Sequence, residues 1–207
     1  MNVLLIGSGA REHAIAWKLT KSPLLSKLYT APGNPGTGVL GQNVAVSASD
    51  LHGLLRVVKD FQIDVTIVGP EGPLAEGICD LFNRQGLPIF GPTRAAARIE
   101  SSKAFSKELM LKNGIPTAPA VIFDSYEAAK QYVLRRNKPL VIKADGLAAG
   151  KGVSVCGNQN EALEALKQCF LEKSFGLAGL RIGYGLGSKK IIEILHRVKI
   201  PWNVNYI

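Results

Sequence analysis

The order of apolar and polar positions along the chain changes period repeatedly, and each change marks an element. Asn2-Val3-Leu4-Leu5-Ile6 is a strand run, and Gly7 to His13 leads from it into an amphipathic helix through about Lys21. Together they make the first βα unit of a doubly wound sheet. A second strand covers Leu28 to Ala31, followed by Pro32-Gly33-Asn34-Pro35-Gly36-Thr37-Gly38, whose turn formers predict a loop. Asp50 reads as the N-cap of a helix with Leu51, Leu54, Leu55, Val58 and Phe61 on one face. Asp64 to Val68 is the next strand, and Gly69-Pro70-Glu71-Gly72-Pro73-Leu74 a second Pro/Gly loop. A helix to about Gln85 and a short strand from Pro88 to Phe90 complete this part.

The pattern then turns helical in two pieces, Arg94 to Glu100 and Lys103 to Asn113, stopped by Gly114-Ile115-Pro116. Beyond lie a strand from Ala120 to Phe123, a helix from Tyr126 to Arg136, and a strand over 140–144. A glycine-rich loop, a strand over 152–156 and a helix from Glu161 to Phe170 follow. The predicted class is α/β: a Rossmann-like doubly wound domain over 1–100, a second partial domain over 101–182, and a divergent basic tail over 183–207.

Composition narrows the function only a little. With 46% apolar and 20% charged residues in 207, the chain reads as an ordinary soluble globular protein. No apolar run approaches the roughly 18 residues of a membrane span, and the start lacks the basic n-region of a signal peptide. Cys79, Cys156 and Cys169 are odd in number and without metal spacing. A reducing cytoplasmic location and core thiols are the expectation. Of the net charge of +9, the last 25 residues supply +3. The other basic residues are scattered, with few aromatics among them, which disfavours a nucleic-acid surface. Anionic small substrates account for the bias equally well.

The candidate chemistry centres on Val141-Ile142-Lys143-Ala144-Asp145-Gly146-Leu147-Ala148-Ala149-Gly150-Lys151-Gly152-Val153-Ser154-Val155. Small residues let the backbone approach a ligand, and two ammonium groups beside such a turn make an anion site suited to nucleotide phosphates. A plain hairpin with solvated lysines is the alternative. A Walker A loop is excluded, because Gly146 to Gly150 is one residue short, Gly152 replaces the hydroxyl residue, and a strand follows. A flexible flap between antiparallel strands fits better. Lys103 stands at a helix start, where a lysine is disfavoured, and so hints at an anionic partner.

The first turn, Gly7-Ser8-Gly9-Ala10-Arg11-Glu12, resembles a dinucleotide fingerprint but carries Glu12 in place of the third glycine. The second strand ends in Pro32-Gly33 rather than in the acid that holds a ribose. A nicotinamide enzyme is disfavoured. What remains is a helix N-terminus suited to an anion such as a sugar phosphate, with Arg11 able to add a bidentate grip. His13 reads equally as a packing residue or a ligand contact. Three glycine-rich segments, at 7–11, 32–38 and 69–74, fall at carboxyl ends of strands, where open α/β sheets bind ligands.

GSGAREHA, APGNPGT, IVGPEGPL, IFGPT, ESSKAFSK and IKADGLAAGKGV, in this order and spacing, resemble the glycinamide ribonucleotide synthetase family, also called phosphoribosylamine–glycine ligase. The resemblance runs to about residue 182. It implies a preATP-grasp domain followed by a partial ATP-grasp domain, in an ATP-dependent ligase of purine biosynthesis that joins glycine to 5-phosphoribosylamine. Glycine would be activated as an acyl phosphate and attacked by the amine, with no covalent enzyme nucleophile. On this resemblance Lys103 and Lys143 contact the nucleotide, Asp145 belongs to the ATP-binding set, and Gly146, Gly150, Lys151 and Gly152 belong to the phosphate-covering flap. Gly9, Arg11, Glu12, Gly33, Asn34, Pro70 and Glu71 line the phosphoribosylamine side.

The family pattern then departs. Paired glutamates on the adenine side, the acid and asparagine that bind Mg²⁺ or Mn²⁺, and an R-F-G-D-P-E signature are not found after Ile182. The tail carries one acid, Glu193, and Ile191 to Leu195 could stand in for a missing strand. The expectation is a frameshifted or truncated synthetase, inactive as written, with no metal ligands of its own. The alternatives are a non-catalytic module that binds a sugar phosphate or nucleotide and, more remotely, a basic nucleic-acid-binding protein.

Overall fold

The computed structural model describes residues 1–136, 138–148 and 152–171, together with the backbone of 182–183. The chain divides into two compact units, the first Met1–Arg98 and the second beginning at Ile99.

In the first unit, β1 (Asn2–Gly7), β2 (Lys27–Pro32), β3 (Gln42–Asn43), β4 (Val65–Val68) and β5 (Ile89–Phe90) form one parallel sheet in the order β3-β2-β1-β4-β5. Successive strands run outward from β1 on one side and then from β4 on the other. The direction therefore reverses between β1 and β4, and Gly7 at the end of β1 and Gly69 just after β4 flank the switch point. The central strand is covered on both faces, which is why its apolar run is unbroken. Leu4 and Ile6 enter a cluster with Leu54, Val57, Val58, Ile78 and Phe82 from α3 (Leu51–Asp60) and α5 (Ile78–Arg84). Val3 and Leu5 face the other way, packing with Leu28 and with Ala16 of α1 (Ala10–Leu19). Asp50 caps α3 as predicted, its carboxylate accepting from the Gly53 N–H at 2.8 Å.

Two segments expected to be loops are instead short helices. Pro35–Leu40 forms α2 because Asn34 caps it, its Oδ1 accepting the Thr37 N–H at 3.0 Å, and Pro35 needs no donor in the first turn. Glu71–Glu76 forms α4, ended by Gly77 in the left-handed region at φ 93°, so the single helix expected to reach Gln85 is two. The short β3 carried no sequence signal.

In the second unit, β6 (Leu140–Ala144) pairs antiparallel with β7 (Val153–Cys156), Lys143 opposite Val153, and on its other side with β8 (Ile182–Gly183). The antiparallel pair expected around the glycine-rich turn is present. Leu140, Ile142 and Ala144 are buried against α8 (Tyr126–Arg136) and α9 (Gln159–Phe170), which contribute Ala129, Val133, Ala162 and Leu166. Period-2 geometry then puts Lys143 on the face away from those helices. α6 (Arg94–Ser101), which begins in the first unit and ends in the second, and α7 (Lys103–Lys112) follow the predicted pieces closely. The strand expected at Ala120 to Phe123 is reduced to a single bridge residue at Phe123, since Pro116 and Pro119 remove donors just before it. Ala149, Gly150, Lys151 and the proposed substitute strand Ile191 to Leu195 lie outside the described residues.

Candidate substrate and nucleotide-phosphate sites

In the first unit, the segments that leave β1, β2 and β4 are tied to one another. Asn34 donates its amide N–H groups to the carbonyls of Ser8 at 3.0 Å and Gly9 at 3.3 Å, joining α2 to the first turn. Gly33 N–H donates to Gly7 O at 3.1 Å, and Gly69 N–H to Ile6 O at 3.0 Å. Asn43 Nδ2 donates to Asn34 O at 2.7 Å, and its Oδ1 accepts the Thr37 hydroxyl at 2.8 Å. Asn43 and Thr37 were not singled out in the sequence. The Asn34-x-x-Thr37 spacing was the available signal, since both ends of a capping box are present.

Arg11 projects outward from this cluster, its side chain 59% exposed. Its Nε donates to Glu12 Oε1 at 3.1 Å, and an η nitrogen lies 3.6 Å from Glu71 Oε2 across the switch point. Glu12 is the opposite case: 3% exposed, its carboxylate turned inward to accept the Gly9 N–H at 2.7 Å. His13 is exposed, and its ring occupies the space that a side chain on Gly36 would need. This contact lets α2 carry a glycine at that position without a backbone reason for it.

In the second unit, the N-terminus of α7 is bound to the root of the glycine-rich turn. Ser102 caps α7 through the Phe105 N–H at 3.1 Å, and its hydroxyl also meets both Asp145 oxygens at 3.0 and 3.2 Å. The Ala104 N–H donates to Asp145 Oδ1 at 3.1 Å, so this carboxylate supplies the negative group that a helix start favours. Lys103 Nζ donates to Gly146 O at 2.7 Å, which accounts for a lysine at an otherwise unfavourable position. Gly146 is in the left-handed region at φ 95°, and a Cβ on Gly152 would meet Ala148 Cβ at 2.8 Å. The turn therefore requires glycine at both positions.

Three lysines share this neighbourhood with one carboxylate. Burial lowers the Lys143 ammonium from its usual range. Burial also lowers Lys103, with Asp145 opposing the shift and Lys143 adding to it. Lys107, which was not singled out in the sequence, is lowered by burial and by Lys143. Its ammonium is held by the Thr117 hydroxyl and the Ala118 carbonyl. Among the described residues no carboxylate is within ion-pair distance of Lys143. Half-buried cations, two of them further depressed by a neighbouring cation, lower their free energy by gaining an anion. Gly150 and Lys151, the remaining flap residues expected here, are outside the described residues.

The described residues contain no group of three His, Cys, Asp or Glu side chains able to hold a metal ion. No described helix is long and apolar enough to cross a membrane.

Comparison with known proteins gives the family. Residues 1–100 match the N domain of phosphoribosylglycinamide synthetase, and residues 101–183 match its ATP-grasp (A) domain. A phosphoribosylamine–glycine ligase of Mesorhizobium japonicum is 50% identical over 182 residues, which is 88% of this chain and 43% of that protein. The crystal structure of phosphoribosylamine–glycine ligase from Thermotoga maritima superposes with a TM-score of 0.73 at 28% identity, over 90% of this chain and 44% of that one. The ADP complex of N5-carboxyaminoimidazole synthetase from Staphylococcus aureus shares the fold, with a TM-score of 0.69 at 15% identity over 89% of this chain and 47% of that one. The chain thus spans less than half the length of the relatives it matches. Over residues 1–183 it belongs to the phosphoribosylglycinamide synthetase family.

Proposed function

We propose that this chain serves the ATP-dependent joining of glycine to 5-phosphoribosylamine, forming glycinamide ribonucleotide, with the two units receiving different substrates. The observation that carries the reading is the set of half-buried lysines, Lys103, Lys107 and Lys143, around a glycine-rich turn with a single carboxylate. Lys103 and Lys143 neutralise the polyphosphate of ATP. Gly146, Gly150, Lys151 and Gly152 close over it, and Asp145 braces the turn against α7. In the first unit Arg11 and Asn34 face the phosphoribosylamine, with Glu71 steadying Arg11. Gly9, Glu12, Gly33 and Pro70 give the pocket its shape. ATP supplies the phosphoryl group that activates the glycine carboxylate, and the side chains position and neutralise charge without forming a covalent bond. Among the described residues no three His, Cys, Asp or Glu side chains gather to hold Mg²⁺ or Mn²⁺, and no step is assigned to a metal.

The test uses tripolyphosphate and ribose 5-phosphate as separate probes of the purified 207-residue chain. Each is expected to bind its own unit: Lys143→Met removes tripolyphosphate binding alone, and Arg11→Ala removes ribose 5-phosphate binding alone. Competition between the two probes, or binding of neither to the folded chain, would overturn the reading. A second reading is a module that binds these ligands without turnover. Glycine-dependent ADP release by the purified chain separates the two: release supports the ligase, binding without release the module.

A further inference from the structure

The crevice between the carboxyl ends of β1 and β4 is where a doubly wound sheet receives its ligand. In this chain the floor of that crevice is already filled, by the side chain of Glu12. The carboxylate lies beneath the N-terminus of α1, a ten-residue helix, where free N–H groups and the helix dipole favour an anion. Its Oε2 accepts the Gly9 N–H at 2.7 Å, its Oε1 accepts Arg11 Nε–H at 3.1 Å, and the residue is 3% exposed.

The surrounding glycines explain why it fits. A Cβ on Gly7 would lie 2.6 Å from Glu12 Cγ, one on Gly9 2.9 Å from Oε2, and one on Gly69 would overlap Oε1. Gly9 has φ −86°, and Gly69 is not among the residues with positive φ, so any residue could adopt either backbone. What forbids a side chain at 9 and 69 is the carboxylate itself. The turn Gly7-x-Gly9-x-x-Glu12 differs from a dinucleotide-binding turn at one position, and that position supplies the anion.

We infer that Glu12 is a built-in anion occupying the cradle that such turns give to a pyrophosphate, and that it is the specificity residue excluding dinucleotides and free phosphate from this floor. A ligand of the first unit is then met by the outward-facing groups, Arg11 above all. The inference does not depend on the ligase reading, because it concerns what the cradle holds in the free chain.

The test compares the full wild-type chain with Glu12→Ala and Glu12→Gln, following the amide resonances of Gly7, Gly9 and Gly69 so that anions bound elsewhere do not interfere. In the wild type, formate and inorganic pyrophosphate leave these resonances unmoved. In Glu12→Ala, formate shifts the Gly9 amide saturably and raises the melting temperature by mass action, whereas acetamide at equal concentration does neither. Pyrophosphate also shifts the same resonances saturably in Glu12→Ala. Glu12→Gln, which keeps the shape, stays closed to both anions. Should Glu12→Ala not fold in chloride, the refolding yield in formate becomes the readout, and recovery of the fold supports the inference. It is overturned by pyrophosphate binding at Gly9 of the wild type, by an unmoved Gly9 amide in folded Glu12→Ala, or by refolding that formate does not restore.

Discussion

Replacing Asn34 with alanine removes two separable contributions from the first unit. One is the cap of α2, the Thr37 N–H to Asn34 Oδ1 bond of 3.0 Å, and loss of such a cap costs about 1 kcal/mol. The other is the tie from Asn34 Nδ2 to the carbonyls of Ser8 and Gly9 at 3.0 and 3.3 Å. These bonds are solvent-exposed and together contribute about 1 kcal/mol at the low end of the usual range. The contacts made by the Asn34 backbone, to Thr37 Oγ1 and Asn43 Nδ2, survive the substitution. Asn34→Ala should therefore lose about 2 kcal/mol. For a unit of this size that is a fall of roughly 8–16 °C in melting temperature. Asn34→Ser keeps a hydroxyl cap but not the amide tie, and should lose about half as much. Trp17 lies on α1 and the other tryptophan is Trp202, so fluorescence-detected urea unfolding in a Trp202→Phe background reports the first unit alone. Equal losses for the serine and alanine variants would refute the division into cap and tie. A loss below about 0.5 kcal/mol in Asn34→Ala would refute the whole account.

Gly69→Ala should destabilise the wild type by about 1–3 kcal/mol, since its methyl group overlaps Glu12 Oε1, yet be nearly neutral beside Glu12→Ala. Urea midpoints of the four combinations measure that coupling, and additive losses would contradict the cage. Lys103 and Lys143 have folded pKa values below their ordinary ones, so between those values the unfolded chain binds more protons and stability rises with pH. A bound polyphosphate raises both pKa values, so tripolyphosphate affinity should be greatest while they are protonated and fall as pH climbs through the free-state values. Proton uptake on binding, measured by calorimetry in buffers of different ionisation heat, checks the sign; proton release would reverse it. Burial, then Glu161 and Cys169, push the Cys156 thiol up to about 11, and Cys79 and Cys169 are also buried and raised. Mass spectrometry after iodoacetamide treatment at pH 8 should find all three cysteines unmodified in the native chain and labelled in urea.

The sequence revealed elements whose cause is local and missed those whose cause lies in a distant residue. Val3 to Ile6, the Asp50 cap and the alternation of Leu140, Ile142 and Ala144 are patterns a short window contains, and each element formed where expected. Gly36 and Gly38 read as helix breakers because nothing nearby explains them. Gly36 leaves room for the ring of His13, and a Cβ on Gly38 would sit 3.2 Å from the Asn43 amide nitrogen. Both reasons are tertiary. The same applies at the sites. Lys103 and Lys143 could be chosen from their motifs, whereas Lys107 gains meaning only from being folded close to Lys143. Glu12 was legible as a departure from a glycine pattern. Its inward orientation was not, because the room it fills belongs partly to Gly69, the residue that follows β4.

The sheet of the first unit ends on both sides in a strand of two residues, β3 and β5. An exposed strand margin recruits other chains through its row of unpaired amides and carbonyls, and shortening it is one of the ways proteins prevent this. Here the long, apolar β1 and its neighbours β2 and β4 are all interior, so a would-be partner strand finds only a stub on either flank. The unit can thus carry an apolar centre without offering a template for intermolecular β-pairing.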